Sequence, residues 1–176
     1  MTPSVPAAAV PARLASVRSS STEETRGLGA ALAGVAEAGD RIALIGHLGA
    51  GKTQFAKGFA RGLGISDVVN SPSFTLMSEY EGRLRLFHQD LYRLAGAREA
   101  LAGGLLDERQ ESGVTLTEWA DRLESGIDPD RLEIRLMVNS DDERTIELVT
   151  AHPERHARYL ARAVAWAARR DTDAAT

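Results

Sequence analysis

Apolar positions change their spacing several times along the chain, and each change predicts an element. Leu28, Leu32 and Val35 recur at helical spacing behind Ser21-Thr22-Glu23-Glu24, which fits a capping box, and Gly39-Asp40 closes the segment. The run Arg41-Ile42-Ala43-Leu44-Ile45 reads as a buried strand. A helix is expected from about Gly51 to Leu63, with Phe55, Phe59 and Leu63 on one face and Gly64 as its stop. Ser66 to Phe74 is a turn-rich loop around Pro72. Alternation then returns over Thr75 to Tyr80 and Leu84 to His88, joined by Glu81-Gly82-Arg83 as in a hairpin.

The second half continues the mixture. Gly96 to about Gln110 is helical with a glycine break, anchored by Leu101, Leu105 and Leu106. Val114-Thr115-Leu116-Thr117 is a short strand running into Glu118-Trp119. Leu132 to Val138 and Arg144 to Val149 alternate about the polar turn Asn139-Ser140-Asp141-Asp142, a second antiparallel hairpin. Pro153 to Arg170 is helical, with Leu160, Val164 and Ala167 on one stripe and Arg155, Arg158, Arg162 and Arg169 on another. That helix either docks with a solvated Arg face or contacts RNA or a partner. Parallel and antiparallel signals together predict an α/β fold with a mixed sheet flanked by helices.

Composition narrows this picture. At 176 residues and 43% hydrophobic the chain fits one domain, and its net charge of -4 gives no overall electrostatic footprint for nucleic acid. The lack of cysteine excludes disulfides, thiolate metal sites and cysteine nucleophiles. No run approaches the ~18 apolar residues of a membrane span, so a soluble, cytoplasmic protein is expected. The first 22 residues hold no acid and carry Pro3, Pro6 and Pro11, which reads as a disordered tail. Their composition also resembles a transit peptide, although the prolines leave no clear amphipathic helix. The expected division is a tail over 1–20, a domain over 21–152, and a basic helix with its own tail over 153–176.

The chemistry centres on Gly46-His47-Leu48-Gly49-Ala50-Gly51-Lys52-Thr53, which fills every fixed position of G-x-x-x-x-G-K-[ST] between a strand and a helix. In such a loop, glycines let the backbone turn so that N-H groups face the β- and γ-phosphates of a nucleotide. Lys52 adds a compact positive charge and Thr53 a hydroxyl for Mg²⁺. Of 21 basic residues 19 are arginine, and the two lysines are Lys52 and Lys57, so the loop keeps an ammonium in a chain that otherwise writes Arg. Lys57 reads as a solvated helix residue.

Hydrolysis also needs an acid to hold Mg²⁺ or its water. Asp90 and Glu118 each follow a short strand, where an open α/β sheet places its ligand, and a helix-capping or surface acid is the alternative for both. Asn70 and Asn139 are each followed by Ser, so no N-K-x-D guanine reader exists. Protein-kinase motifs are absent as well. A small-molecule kinase stays open, with Arg93 and Arg98 as weak lid candidates, as does a nucleotide-dependent docking module that scarcely hydrolyses.

Several strings together resemble the TsaE family, also called YjeE. They are the capped first helix, the loop Gly46 to Thr53, Ser71-Pro72-Ser73-Phe74-Thr75, Tyr80, His88-Gln89-Asp90-Leu91-Tyr92-Arg93 and Glu118-Trp119. The resemblance spans about Ser21 to Val149. His47 stands where the family usually has Asp, and Ser73 where it has Thr.

The resemblance implies a P-loop NTPase fold and an ATPase of tRNA threonylcarbamoyladenosine synthesis that uses ATP and Mg²⁺. It implies action on the TsaD and TsaB proteins, with tRNA met only through that complex. Lys52, Asp90 and Glu118 are then the catalytic candidates, with Thr53, Asp90 and Glu118 for Mg²⁺. Gly46, Leu48, Gly49, Ala50, Gly51, Lys52, Thr53, Gln54 and Trp119 are the cofactor-binding candidates, although Trp119 could equally be a core residue. Ser73, Phe74 and Thr75 form the candidate switch.

Overall fold

A computed structural model describes residues 12–95, 97–123 and 126–174. In chain order the elements are β1 (Ala12–Ser19), α1 (Thr22–Ala33), β2 (Arg41–Ile45), α2 (Lys52–Gly62), β3 (Met77–Tyr80), β4 (Leu86–Asp90), α3 (Ala97–Ala102), β5 (Val114–Glu118), β6 (Leu132–Val138), β7 (Arg144–Thr150) and α4 (Ala157–Ala174). They form one seven-stranded sheet in the order β1-β7-β6-β2-β5-β4-β3. Strand β2 pairs in parallel with β5 and β6, and β4 with β5, whereas β3, β7 and β1 join antiparallel. Both expected hairpins form, and the sheet is the mixed one that the strand signals imply.

One large core joins the sheet to α1, α2 and α4 through Leu28, Leu32, Leu44, Phe55, Phe59, Leu116, Ile134, Leu148 and Tyr159. Helix α1 begins as its capping residues predict, with the Ser21 hydroxyl accepting from the Glu24 N–H. It lies so close to α2 that a Cβ on Gly58 would stand 2.0 Å from the Arg26 carbonyl oxygen, and one on Gly29 2.5 Å from that of Phe55. Only glycine permits that approach. A smaller cluster of Leu91, Leu94, Ala100, Leu105 and Leu123 packs beside Leu76, Met77 and Trp119.

Two sequence expectations need correction. The tail expected over 1–20 is strand β1 over Ala12–Ser19, while residues 1–11 lie outside the described residues. Its partner is β7, whose open edge would otherwise leave backbone groups unpaired; Val17 and Ser19 turn into the core. The apolar stripe expected on α4 is also rotated in part: Ala167 packs against the core, but Val164 does not. Tyr159 and Ala163 are buried, Val164 is 56% exposed, and Arg158 and Arg162 face the protein instead of solvent. The cause is Asp40, which accepts two hydrogen bonds of 2.6 Å from Arg158 and a third from the Tyr159 hydroxyl. A polar anchor thus sets the helix's rotation. The helical region from Gly96 to Gln110 resolves into α3 and a 3-10 turn at Glu108–Ser112, with Gly96 outside the described residues.

Candidate phosphate and metal site

The loop between β2 and α2 turns through Gly49 and Gly51 at φ 80° and 106°, left-handed values that disfavour any side chain. A Cβ on Gly46 would lie 2.6 Å from the Leu136 carbonyl oxygen, so the loop's first glycine is required by the neighbouring strand β6. Gly51 caps α2 with no side-chain hydrogen bond, which leaves the helix's first N–H groups to an outside acceptor. From the β6–β7 turn, Arg144 donates to the carbonyls of Gly49 and Ala50 at 3.3 and 3.2 Å. Those two bonds tie the loop to the β6–β7 turn.

Lys52 is 5% exposed and donates to the Gly46 and His47 carbonyls at 2.6 and 3.0 Å. Its ammonium lies 3.7 Å from the centroid of the Trp119 ring. Burial lowers its pKa, and the charges of Glu118, Asp121 and Asp90 oppose that fall. The next residue, Thr53, donates its hydroxyl proton to Glu118 Oε2 at 2.9 Å. On the other side of the carboxylate, Glu118 Oε1 lies 2.9 Å from His88 Nε2.

Asp90 and Glu118 are register partners at the C-terminal ends of the parallel strands β4 and β5. The sheet therefore brings both candidate acids to the same edge as the loop. Both are buried, at 3% and 2% exposed. Asp90 Oδ2 accepts from the hydroxyls of Ser71 and, at 2.8 Å, Ser73; Oδ1 accepts from the Tyr92 N–H at 2.8 Å. Of the candidate switch residues, Ser73 thus reaches an acid of the site, while Phe74 and Thr75 are exposed. Phe74 lies under the Arg93 guanidinium at 4.1 Å, so that arginine covers the switch segment.

Trp119 combines both of its sequence readings: it covers Lys52 and packs against the smaller cluster, from a left-handed backbone at φ 57°. Leu48 is exposed at the loop's tip and Ala50 is buried beneath it. Gln54 accepts from Arg26 Nε at 2.8 Å through its side chain. The His47 side chain projects from the loop into solvent, while its carbonyl accepts from Lys52.

Thr53, Glu118 and Asp90 offer only hard oxygen donors, a small set suited to Mg²⁺, which keeps waters and phosphate oxygens as its remaining ligands. The glycine cradle and the free helix N-terminus suit a triphosphate on the same physical grounds. Sequence reasoning assigned no role to His88, Ser71 or Arg144. His88 and Asp90 share one face of β4 at the two-residue strand period, and that signal could have been used. Arg144 lies 94 positions from Ala50 and left no local sign.

Comparison with known proteins agrees with this geometry. The family model described as threonylcarbamoyl adenosine biosynthesis protein TsaE matches residues 19–146. The Bacillus subtilis protein named tRNA threonylcarbamoyladenosine biosynthesis protein TsaE is 45% identical over 130 residues, covering 73% of this chain and 81% of that protein. The Treponema pallidum protein of the same name is 39% identical over 128 residues, 73% and 95% of the two chains. The crystal structure of Bacillus subtilis YdiB superposes with a TM-score of 0.67 at 36% identity, covering 92% of this chain and 98% of that one.

Proposed function

The chain belongs to the TsaE family, and from that membership we propose that it is the ATPase that enables threonylcarbamoyl transfer to the adenosine beside the tRNA anticodon. It acts on TsaD with TsaB, meets tRNA only through that complex, and works in the cytoplasm. ATP binding docks it, and hydrolysis resets the complex between turnovers. Its own turnover is weak until those partners are present. The names carried by the relatives support the tRNA-modification role, and the glycine loop supports a nucleoside triphosphate as the ligand.

The observation that carries this reading is the 2.9 Å hydrogen bond from Thr53 to Glu118. It couples the loop hydroxyl used for Mg²⁺ to an acid on a different strand, the pairing that phosphoryl transfer requires. Bound Mg²⁺ supplies Lewis-acid stabilisation of charge on the phosphates. Thr53 and Glu118 hold it, and Lys52 places its ammonium against the phosphate oxygens. Asp90 is the better placed acid for orienting water, because its tie to Ser71 and Ser73 links it to the segment that senses the γ-phosphate. Division of the chain into a domain over 21–152 and a terminal helix that docks on it fits the same picture, with β1 added to the domain's edge.

Reconstitution tests the function. TsaD, TsaB, threonylcarbamoyl-adenylate and excess unmodified tRNA are combined with ATP, with or without the chain or its Lys52→Ala variant. Multiple turnovers that need both the chain and Lys52 are expected. A single burst that the wild-type chain cannot extend would overturn the reset role and favour a small-molecule kinase.

A further inference from the structure

We infer that His88 is a positioning residue for Glu118, holding its carboxylate so that the other oxygen stays on Thr53; the inference rests on the hydrolysis reading above. His88 and Glu118 are both buried and meet at 2.9 Å. An ionised Glu118 only accepts, so Nε2 of His88 carries the proton and donates it. Oε1 is thereby occupied, and Oε2 is the oxygen that Thr53 reaches.

Packing alone does not explain a histidine here. Its register partner on β5 is Leu116, and Leu86 lies two residues back on the same face of β4, both fully buried. Nδ1 of His88 is buried without a hydrogen-bond partner, an arrangement that weakens folding. A leucine would avoid that penalty. The polar ring therefore stands at an apolar position at some expense in stability, and the group it touches is Glu118. No change in the charge of His88 is needed: the ring acts as a fixed donor.

A double-mutant cycle of wild type, His88→Leu, Glu118→Gln and the double variant tests this, with His88→Gln and His88→Asn alongside. The Gln amide can reach the Nε2 position and donate to Glu118, whereas the Asn amide ends near Nδ1 and falls short. ATP hydrolysis beside TsaD and TsaB is measured, together with the ratio of ATP dissociation constants with and without Mg²⁺ and the melting temperature. His88→Leu removes the unpaired Nδ1 but also strips buried Glu118 Oε1 of its donor, so it should melt below wild type and lose about tenfold in hydrolysis, within the range of coupling between touching groups. In the Glu118→Gln background the same change should cost less than about twofold. His88→Gln should retain activity and His88→Asn should not.

Equal losses in both backgrounds, or equal effects of Gln and Asn, overturn the inference. Should His88→Leu fold poorly, the Gln and Asn pair decides alone. If the wild type hydrolyses nothing beside its partners, the hydrolysis reading fails. The Mg²⁺ ratio still reports His88: the dissociation constant with Mg²⁺ divided by that without should rise toward one in His88→Asn and hold in His88→Gln, and a ratio unmoved by both overturns the positioning role.

Discussion

The ammonium of Lys52 lies 3.7 Å from the centre of the Trp119 ring, and two carbonyls of its own loop hold it there. An aromatic face, Gly46 and His47 thus enclose the cation on several sides. This space fits a compact ammonium and not a planar guanidinium, which is longer and needs a fork of acceptors. Lys52→Arg keeps the charge but should weaken ATP binding at least about tenfold, or about 1.4 kcal/mol, by titration calorimetry. Wild-type affinity in that variant would show that the loop reads charge alone.

Glu118→Gln keeps the size of the side chain and its reach to Thr53 but removes the negative charge. ATP should still bind, because the glycine loop and Lys52 are untouched, while partner-stimulated hydrolysis falls by roughly 10²-fold, about 2.7 kcal/mol of transition-state stabilisation lost with a charged group that would hold Mg²⁺. Steady-state phosphate release and equilibrium ATP binding separate the two effects. Unchanged turnover would remove Glu118 from the mechanism.

Below neutral pH the stability should depend on His156. Burial lowers its pKa to about 4 from the ordinary 6.5, opposed by Asp40 and reinforced by Arg155 and Arg158. Above about 6.5 both folded and unfolded chains carry it neutral, and its contribution to stability is complete. As the pH falls from there, the unfolded chain takes up a proton that the folded one refuses. Stability is lost until about pH 4, where both states are protonated, with an upper bound of about 3 kcal/mol. Urea midpoints for wild type and His156→Leu should therefore converge between pH 7 and 4.5. Parallel curves would place the titration elsewhere.

The loop from Gly46 to Thr53 was legible because it is a local string: its strand, turn and helix follow one another without help from elsewhere. Asp90 and Glu118 were legible as strand-end acids, but their side-by-side register needs the parallel pairing of β4 with β5, which the sequence does not announce. Strand β1 was misread because its partner β7 begins 125 positions after β1 ends and its own alternation is written largely in Ala, Ser and Arg. Helix α4 was placed correctly but rotated, since periodicity weighs hydrophobicity alone and the deciding contacts are Arg158 and Tyr159 on Asp40. A long-range polar bond outweighed a moderate apolar stripe.

That anchor leads to the last prediction. Asp40 is buried, its carboxylate accepts from Arg158, Tyr159 and the Glu37 N–H, and its backbone carbonyl accepts from the Thr115 N–H on β5. Its carboxylate is therefore the point where α4, the end of the α1 loop and the start of β2 meet. Asp40→Asn replaces one acceptor oxygen with a donor that faces other donors, leaving the Arg158 charge without its partner. Because Arg158 keeps some access to water, the loss should be about 2–4 kcal/mol, somewhat under the full cost of breaking a wholly buried pair. Asp40 precedes β2 and the glycine loop follows it, so roughly 16 Å of strand separates the anchor from the phosphate site. Denaturant titration should show the full stability loss, and proteolysis should reach α4 first. ATP affinity of the folded variant should match wild type, and a matching fall in affinity would show that α4 helps to shape the loop.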